Sequence, residues 1–358
     1  MQEKLIYMPT FRVRQEEVKV LKSFDFGNNM YPLLEIVKGH DRVRVNQKSF
    51  QEIHLSLINS INAEKVFVDL PLYLSSSSRS LKPDILSFVL SVINNRENRT
   101  SHIVSLSEQS KKIIPVISSY RTINFETSYL NEQYRELKKY YPSVAIRIKH
   151  SEFANEWAII EKLVTSTDFI ILDIDNINAA PDSPALRDIV NKLEAFDVCH
   201  KIILRSALNN DIQNKTLQHD SVVYEADNGL LERYNDYGVN SIGDYVGVKK
   251  DYMTSGGGIS PGFIYFDSVR NQYFGYTYTI RELANFKDHI VPSVLKSEVT
   301  RRMHNSEIDF LANENLGWTM LNNIYNGLES GKNQAKFKRI SMEHYIFSIK
   351  KLIESGNI

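Results

Sequence analysis

Asp168–Asp175 reads DFIILDID, four consecutive apolar residues closed by two acids with one apolar residue between them. A run that is apolar on both parities suits a strand buried on both faces, as in a parallel sheet covered by helices. Upstream, the same character recurs in Leu5–Val13 (LIYMPTFRV), Tyr31–Val37 (YPLLEIV), Lys65–Tyr73 (KVFVDLPLY), Ile113–Tyr120 (IIPVISSY) and Val144–Lys149 (VAIRIK). Downstream it recurs in Lys201–Ala207 (KIILRSA) and Ile242–Val248 (IGDYVGV). Most intervals have room for a helix. Phe50–Asn62, Ile85–Asn94, Tyr129–Tyr141, Trp157–Val164 and Leu186–Phe196 carry apolar residues at helical spacing, and Glu225–Asp236 is a weaker candidate. Strand and helix alternating every about 25 to 40 residues predict a TIM-barrel-like (β/α)8 fold. The runner-up, an open doubly wound sheet, ordinarily shows a glycine-rich turn after its first strand, and none follows Val13. The first connection holds only Gln15–Ser23 as a helix candidate, so the barrel is expected to be irregular there.

After Val248 the pattern changes. Thr254–Gly262 (TSGGGISPG) reads as a loop. Phe263–Asp267 and Gln272–Thr279 alternate aromatic residues around a short turn, the signature of an antiparallel hairpin. Helices are predicted over Ile308–Leu328 and Ser341–Glu354. The expected organisation is a barrel core over residues 1–250. Residues 251–358 then supply the glycine loop, the hairpin and a C-terminal helical elaboration packed on the barrel. Ser75–Ser80 (SSSSRS) is expected to be an exposed loop.

Composition narrows the function classes. The chain has 358 residues, 43 Lys+Arg against 43 Asp+Glu, 42% hydrophobic and 24% charged residues. A net charge of zero disfavours a globally basic nucleic-acid binder, although a local basic groove stays open. Cys199 is the only cysteine, which excludes an intrachain disulfide and a cysteine-rich zinc site. Met1–Thr10 lacks an apolar stretch long enough for a signal peptide, and no run of about 18 apolar residues occurs. The expectation is a cytoplasmic chain with no membrane partner. No G-x-S-x-G elbow, Walker loop or H-E-x-x-H helix is present, and the nine histidines show no ligand spacing.

Polar residues recur at one structural position, the carboxyl ends of the predicted strands. They are Arg12 and Arg14, Glu35, Asp69, Ser118, Arg147, Asp173 with Asp175, Arg205 and Asp244. In a barrel these ends converge on one mouth, where active sites form. Two readings follow. In the first, opposite charges pair and plug the end of the barrel. In the second, Glu35, Asp69 and Asp173 are acid/base groups or hold a metal such as Mg²⁺, which prefers oxygen ligands. Arg147, Arg205 and the backbone of Gly256, Gly257 and Gly258 would then bind the anion of a nucleotide or nucleic acid. The basic stretches Arg301-Arg302 and Lys332–Arg339 are expected to be solvated helix faces, and the aromatic hairpin to pack on the barrel or offer an edge to a partner.

A set of ordered motifs runs through the chain. They are Tyr7-Met8-Pro9, Tyr31-Pro32-Leu33-Leu34-Glu35, Val66-Phe67-Val68-Asp69, Ile114-Pro115-Val116-Ile117, Val144-Ala145-Ile146-Arg147 and Ile171-Leu172-Asp173. Leu231-Glu232-Arg233 leads to Gly243-Asp244-Tyr245, followed by Tyr276-Thr277-Tyr278 and Glu343-His344-Tyr345. In this order they resemble the "beta protein" family of phages and bacterial mobile elements. Near the start the chain departs from that family, with Arg12, Arg14 and Gln15-Glu16 where the family tends to carry Lys and Gly-Glu. The resemblance implies a role in phage–host conflict, antiviral defence or its counterpart, with a protein partner of phage or host origin. It carries no reaction or catalytic residue. Two functions are therefore carried forward: a recognition or effector component using the barrel as scaffold, and a metal-assisted hydrolase of a phosphate-bearing substrate at the strand carboxyl ends.

Overall fold

The structure, a computed structural model, describes residues 5–39, 48–70, 83–93, 95–119, 130–178, 180–250 and 258–358. The serine patch Ser75–Ser80 and the glycines Gly256 and Gly257 lie outside the described residues. In chain order the strands are β1 (Tyr7–Arg12), β2 (Leu33–Glu35), β3 (Val66–Asp69), β4 (Ile113–Ser119), β5 (Ala145–Lys149) and β6 (Phe169–Asp173). They continue as β7 (His200–Arg205), β8 (Ser221–Val222), β9 (Ser241–Asp244), β10 (Gly262–Asp267) and β11 (Gln272–Thr277). β1 to β7 and β9 form a closed parallel barrel, with β9 hydrogen-bonded both to β7 and back to β1. This is the predicted TIM-barrel-like fold.

Around the barrel lie α1 (Gln15–Ser23), α2 (Phe50–Ser60), α3 (Pro83–Ile93), α4 (Arg96–Val104), α5 (Leu130–Leu137), α6 (Phe153–Leu163), α7 (Arg187–Ala195) and the single turn α8 (Leu230–Arg233). Local chemistry sets their ends. At α2 the Ser49 hydroxyl accepts the Glu52 N–H and the Glu52 carboxylate accepts the Ser49 N–H, a reciprocal cap. In α6, Phe153, Trp157 and Ile160 fall on one face and bury it.

The two faces of each barrel strand are separated by parity. Met8, Leu33, Phe67, Val116, Ala145, Ile171, Ile202 and Leu204 belong to one apolar cluster, the filling of the barrel. Tyr7, Leu34, Val68, Ile117, Ile146, Leu172 and Ile203 belong to another, between strands and helices. Two residues beyond an inward apolar residue the chain carries a polar one: Leu33 then Glu35, Phe67 then Asp69, Val116 then Ser118, Ala145 then Arg147, Ile171 then Asp173.

Beyond the barrel, β10 and β11 form the antiparallel hairpin, and β11 also pairs with β8, a two-residue strand lying inside the connection between β7 and β9. The hairpin is enclosed on both faces. Phe263, Tyr265, Phe274 and Tyr276 pack with α9 (Val291–Lys296), α10 (Glu298–His304) and α11 (Leu316–Tyr325), while Phe266 and Tyr273 turn toward the barrel layer. Its aromatic residues are therefore not an exposed edge for a partner. α12 (Gln334–Glu354) joins the two cores: Phe337 and Ile340 enter the second, and Met342, Tyr345, Ile346 and Ile349 the first. It starts before the predicted Ser341 because the Asn333 side chain caps it, and α11 starts after the predicted Ile308 because Asn315 caps that one. Among the described residues no helix is long and apolar enough to cross a membrane.

Candidate functional site

Strand register dictates the site. Across the barrel wall Arg12 stands beside Glu35, Glu35 beside Asp69, Ser118 beside Arg147, and Lys149 beside Asp173. Cross-strand neighbours share a face. Because Leu33, Phe67, Val116, Ala145 and Ile171 point inward, so do Glu35, Asp69, Ser118, Arg147 and Asp173 at the carboxyl ends.

They meet around Arg147. Its Nη1 donates to Glu35 Oε1 and to Asp69 Oδ2, both at 2.8 Å. Its Nε and Nη2 donate to Asp173 Oδ2 at 3.1 and 2.6 Å, and Nη2 also donates to the Tyr245 hydroxyl at 3.0 Å. The Tyr245 hydroxyl in turn donates to Glu35 Oε1 at 3.0 Å. Outside this centre, Arg12 Nε donates to Glu35 Oε2 at 3.1 Å and the Ser118 hydroxyl to Asp69 Oδ1 at 3.0 Å. The Lys250 ammonium stands 3.4 Å from Asp173 Oδ2 and 3.3 Å from Asp175 Oδ1, with Lys149 3.6 Å from Asp175 Oδ2. Glu35 and Arg147 are 0% exposed, Asp69 and Asp173 1%.

Removing such charges from water costs several kcal/mol each, so the arrangement persists only because each carboxylate meets a cation. The two sides of Arg147 differ. Burial, reinforced by the neighbouring Glu35 charge and opposed by Arg147, pushes the Asp69 carboxyl up to about 6. Burial pushes Asp173 the same way, but Lys250 and Arg147 together outweigh it and hold Asp173 well below the usual carboxylate range. The guanidinium fills the space between the three carboxylates where a metal ion would sit, and among the described residues no group of three acidic, His or Cys side chains is disposed to hold one.

Arg205 does not join this ring. It is one residue beyond the inward Leu204 and opposite Asp244 in register, so both face outward. There Arg205 Nη2 donates to Asp227 Oδ2 at 3.1 Å. Asp244 accepts the Tyr7 and Tyr345 hydroxyls, each at 2.5 Å, and the Val246 N–H at 2.7 Å. Reading strand ends without counting parity merged the two faces. Arg14 occupies the N-cap position of α1. Gly258 lines a separate cleft, and Gly256 and Gly257 lie outside the described residues. Sequence reasoning missed Tyr245 and Lys250. Tyr245 could have been found by counting two residues on from Gly243 instead of stopping at the charge of Asp244. Lys250 lies beyond the last strand and has no periodic signal.

Two other residue types are accounted for by packing. Burial pushes the Cys199 thiol up to about 12, as expected of a packed cysteine. His344 Nε2 donates to the Phe266 carbonyl while Nδ1 accepts from Asn315, which fixes a neutral core imidazole held down to about 4 by burial.

The model of the family described as Beta protein matches residues 7–349 of this chain. The matched span takes in the barrel, the hairpin and nearly all of α12. No curated protein matches the chain.

Proposed function

The chain belongs to the Beta protein family, and on that premise we propose that it is a cytoplasmic recognition or effector component in phage–host conflict, with the barrel as its scaffold. The observation that carries this reading is the closure of the charged ring. A hydrolytic site must leave room for substrate beside its reacting atoms. Here the oxygens of Glu35, Asp69 and Asp173 receive Arg147, Arg12, Ser118 and Tyr245, and Arg147 and Glu35 are 0% exposed. A fully satisfied buried network of this kind makes a rigid barrel end, which is what a scaffold for a phage or host protein partner requires. The aromatic side chains of the hairpin strands are buried, which argues against them as the docking face.

The alternative, a metal-assisted hydrolase of a nucleotide or nucleic acid, draws on one observation. Asp69 is held near neutrality and Asp173 far below it, the split by which paired carboxyl groups take acid and base roles. In that reading substrate would have to displace Arg147 from its three carboxylates.

A turnover assay paired with phage challenge tests the choice. Purified protein with Mg²⁺ and mixed nucleotides is expected to release no product above a blank. A folded Asp69→Asn variant is expected to keep whatever effect the native chain has on phage plating. Mg²⁺-dependent product that disappears in folded Asp69→Asn would overturn the scaffold reading.

A further inference from the structure

Lys249 and Lys250 are neighbours that serve opposite sides of the chain. Lys250 turns inward to Asp173 and Asp175. Lys249 lines a cleft of about 690 Å³ walled by the segments that follow β7 and β9, by the start of β10 and by the first turns of α12. Four cationic residues, Lys215, Lys249, Arg281 and Lys338, line it, and among the described residues lining it there is no Asp or Glu.

These charges are held in different ways. The Lys249 ammonium donates to the carbonyl oxygens of Asn210 and Ile212 at 3.1 and 2.7 Å, which orient it without cancelling its charge. Lys338 shares its charge with Glu17 at 2.6 Å. Lys215 and Arg281 are exposed at the margin. Between the charges the walls are apolar, with the partly exposed Val248 and Ile264 and the exposed Ile259 among them and the buried Phe263 and Phe337 behind, and Gln213 and Gln334 add amide groups. Sites for small ligands usually combine such apolar walls with a few directed polar groups, in volumes of about 300–1,000 Å³. Several cations, only Lys338 among them paired in the cleft wall with a carboxylate behind it, and no carboxylate among the described lining residues, favour a multiply charged anion, and a guanidinium supplies a fork that fits phosphate oxygens.

We propose that this cleft binds a small phosphate-bearing ligand of nucleotide size, its phosphate toward Lys249, Lys215 and Arg281 and its planar body against Val248, Ile259 and Ile264. The site is distinct from the Arg147 ring and does not depend on whether the chain catalyses a reaction.

Titration of the full chain with AMP, ATP, adenosine, inorganic phosphate and a single-stranded oligonucleotide, read by calorimetry, tests the proposal. The nucleotides are expected to bind at micromolar to about millimolar concentration and to weaken with salt. Arg281→Met and Lys215→Met alter exposed side chains, so the fold is expected to survive. Each is expected to weaken nucleotide binding by about tenfold, the loss of one charge-assisted contact. Adenosine and inorganic phosphate are each expected to bind more weakly than AMP. The proposal is overturned if no nucleotide binds at about millimolar concentration, if both variants bind as the native chain does, if free phosphate binds as tightly as AMP, or if only the oligonucleotide binds.

Discussion

Arg147 gives Asp173 two hydrogen bonds into one oxygen, Nε at 3.1 Å and Nη2 at 2.6 Å from Oδ2. The usual fork places its two donors on two oxygens. Converging on Oδ2 leaves Asp173 Oδ1 to accept the Asp175 N–H at 2.9 Å, and leaves Nη1 to face Glu35 and Asp69. One guanidinium therefore ties β2, β3, β5 and β6 together at the carboxyl end of the barrel.

Arg147→Met should accordingly destabilise the chain by about 3–5 kcal/mol, the range for removing one partner of a buried ion pair. The cost comes from carboxylates left buried with less compensation. Arg147→Met combined with Glu35→Gln, Asp69→Asn and Asp173→Asn should unfold at higher urea than Arg147→Met alone. Arg147→Lys should rescue little, because an ammonium cannot span three carboxylates with fixed geometry. Urea unfolding of the three variants checks the order. Equal stability of Arg147→Met and the native chain would show that the ring holds nothing together.

Asp69 makes stability depend on pH in an unusual direction. Its carboxyl is raised from 3.8 to about 6 in the folded chain. A raised group contributes stability that is present below its unfolded pKa and is lost as pH rises through the folded one. The change across this window is about 3 kcal/mol, from roughly two pH units at about 1.4 kcal/mol each. Asp69→Asn cannot titrate. The stability of the native chain minus that of Asp69→Asn should therefore fall by about this amount between about pH 4 and pH 7. Urea midpoints at stepped pH measure it, and a flat difference would mean that Asp69 stays ionised across the range.

Asp173 has the opposite sign. It is depressed, so its contribution is present above the ordinary carboxylate pKa and is lost as the pH falls. Lys250 is the foremost cause of the depression. Lys250→Met should raise the Asp173 pKa and move the onset of acid unfolding to higher pH, with little change near neutrality on the Asp69 limb. Far-UV circular dichroism during an acid titration follows this onset.

Periodicity made the barrel legible: runs such as DFIILDID are apolar on both parities, and helical spacing recurs between most of them. Glu35, Asp69, Arg147 and Asp173 were legible as a group because each lies at the carboxyl end of such a run. What stayed hidden depended on facts that no local pattern carries. Arg205 and Asp244 needed a parity count against Leu204 and Gly243. Lys250 needed the chain's path after β9, and β8 is only two residues long and pairs with a strand some fifty residues further on. The extension of α12 back to Gln334 depended on an asparagine cap whose value appears only once the helix is packed.

Asp244 fixes α12 to the barrel through Tyr345. Its carboxylate accepts Tyr345 at Oδ2 and Tyr7 at Oδ1, and burial raises its pKa against these bonds. Tyr345→Phe removes one donor from a buried acceptor, at a cost of about 1–3 kcal/mol. Without that bond the Asp244 pKa rises further, so the window over which stability is lost with rising pH extends upward. The variant should therefore lose more stability at mildly alkaline than at mildly acidic pH. Adding Asp244→Asn, which cannot ionise, should abolish that dependence even if the double variant is less stable overall. Hydrogen exchange in α12 reports the same coupling locally: its amides should exchange faster in Tyr345→Phe while those of β5 keep their protection. Equal acceleration in both elements would place Tyr345 in the global core instead of at the joint between helix and barrel.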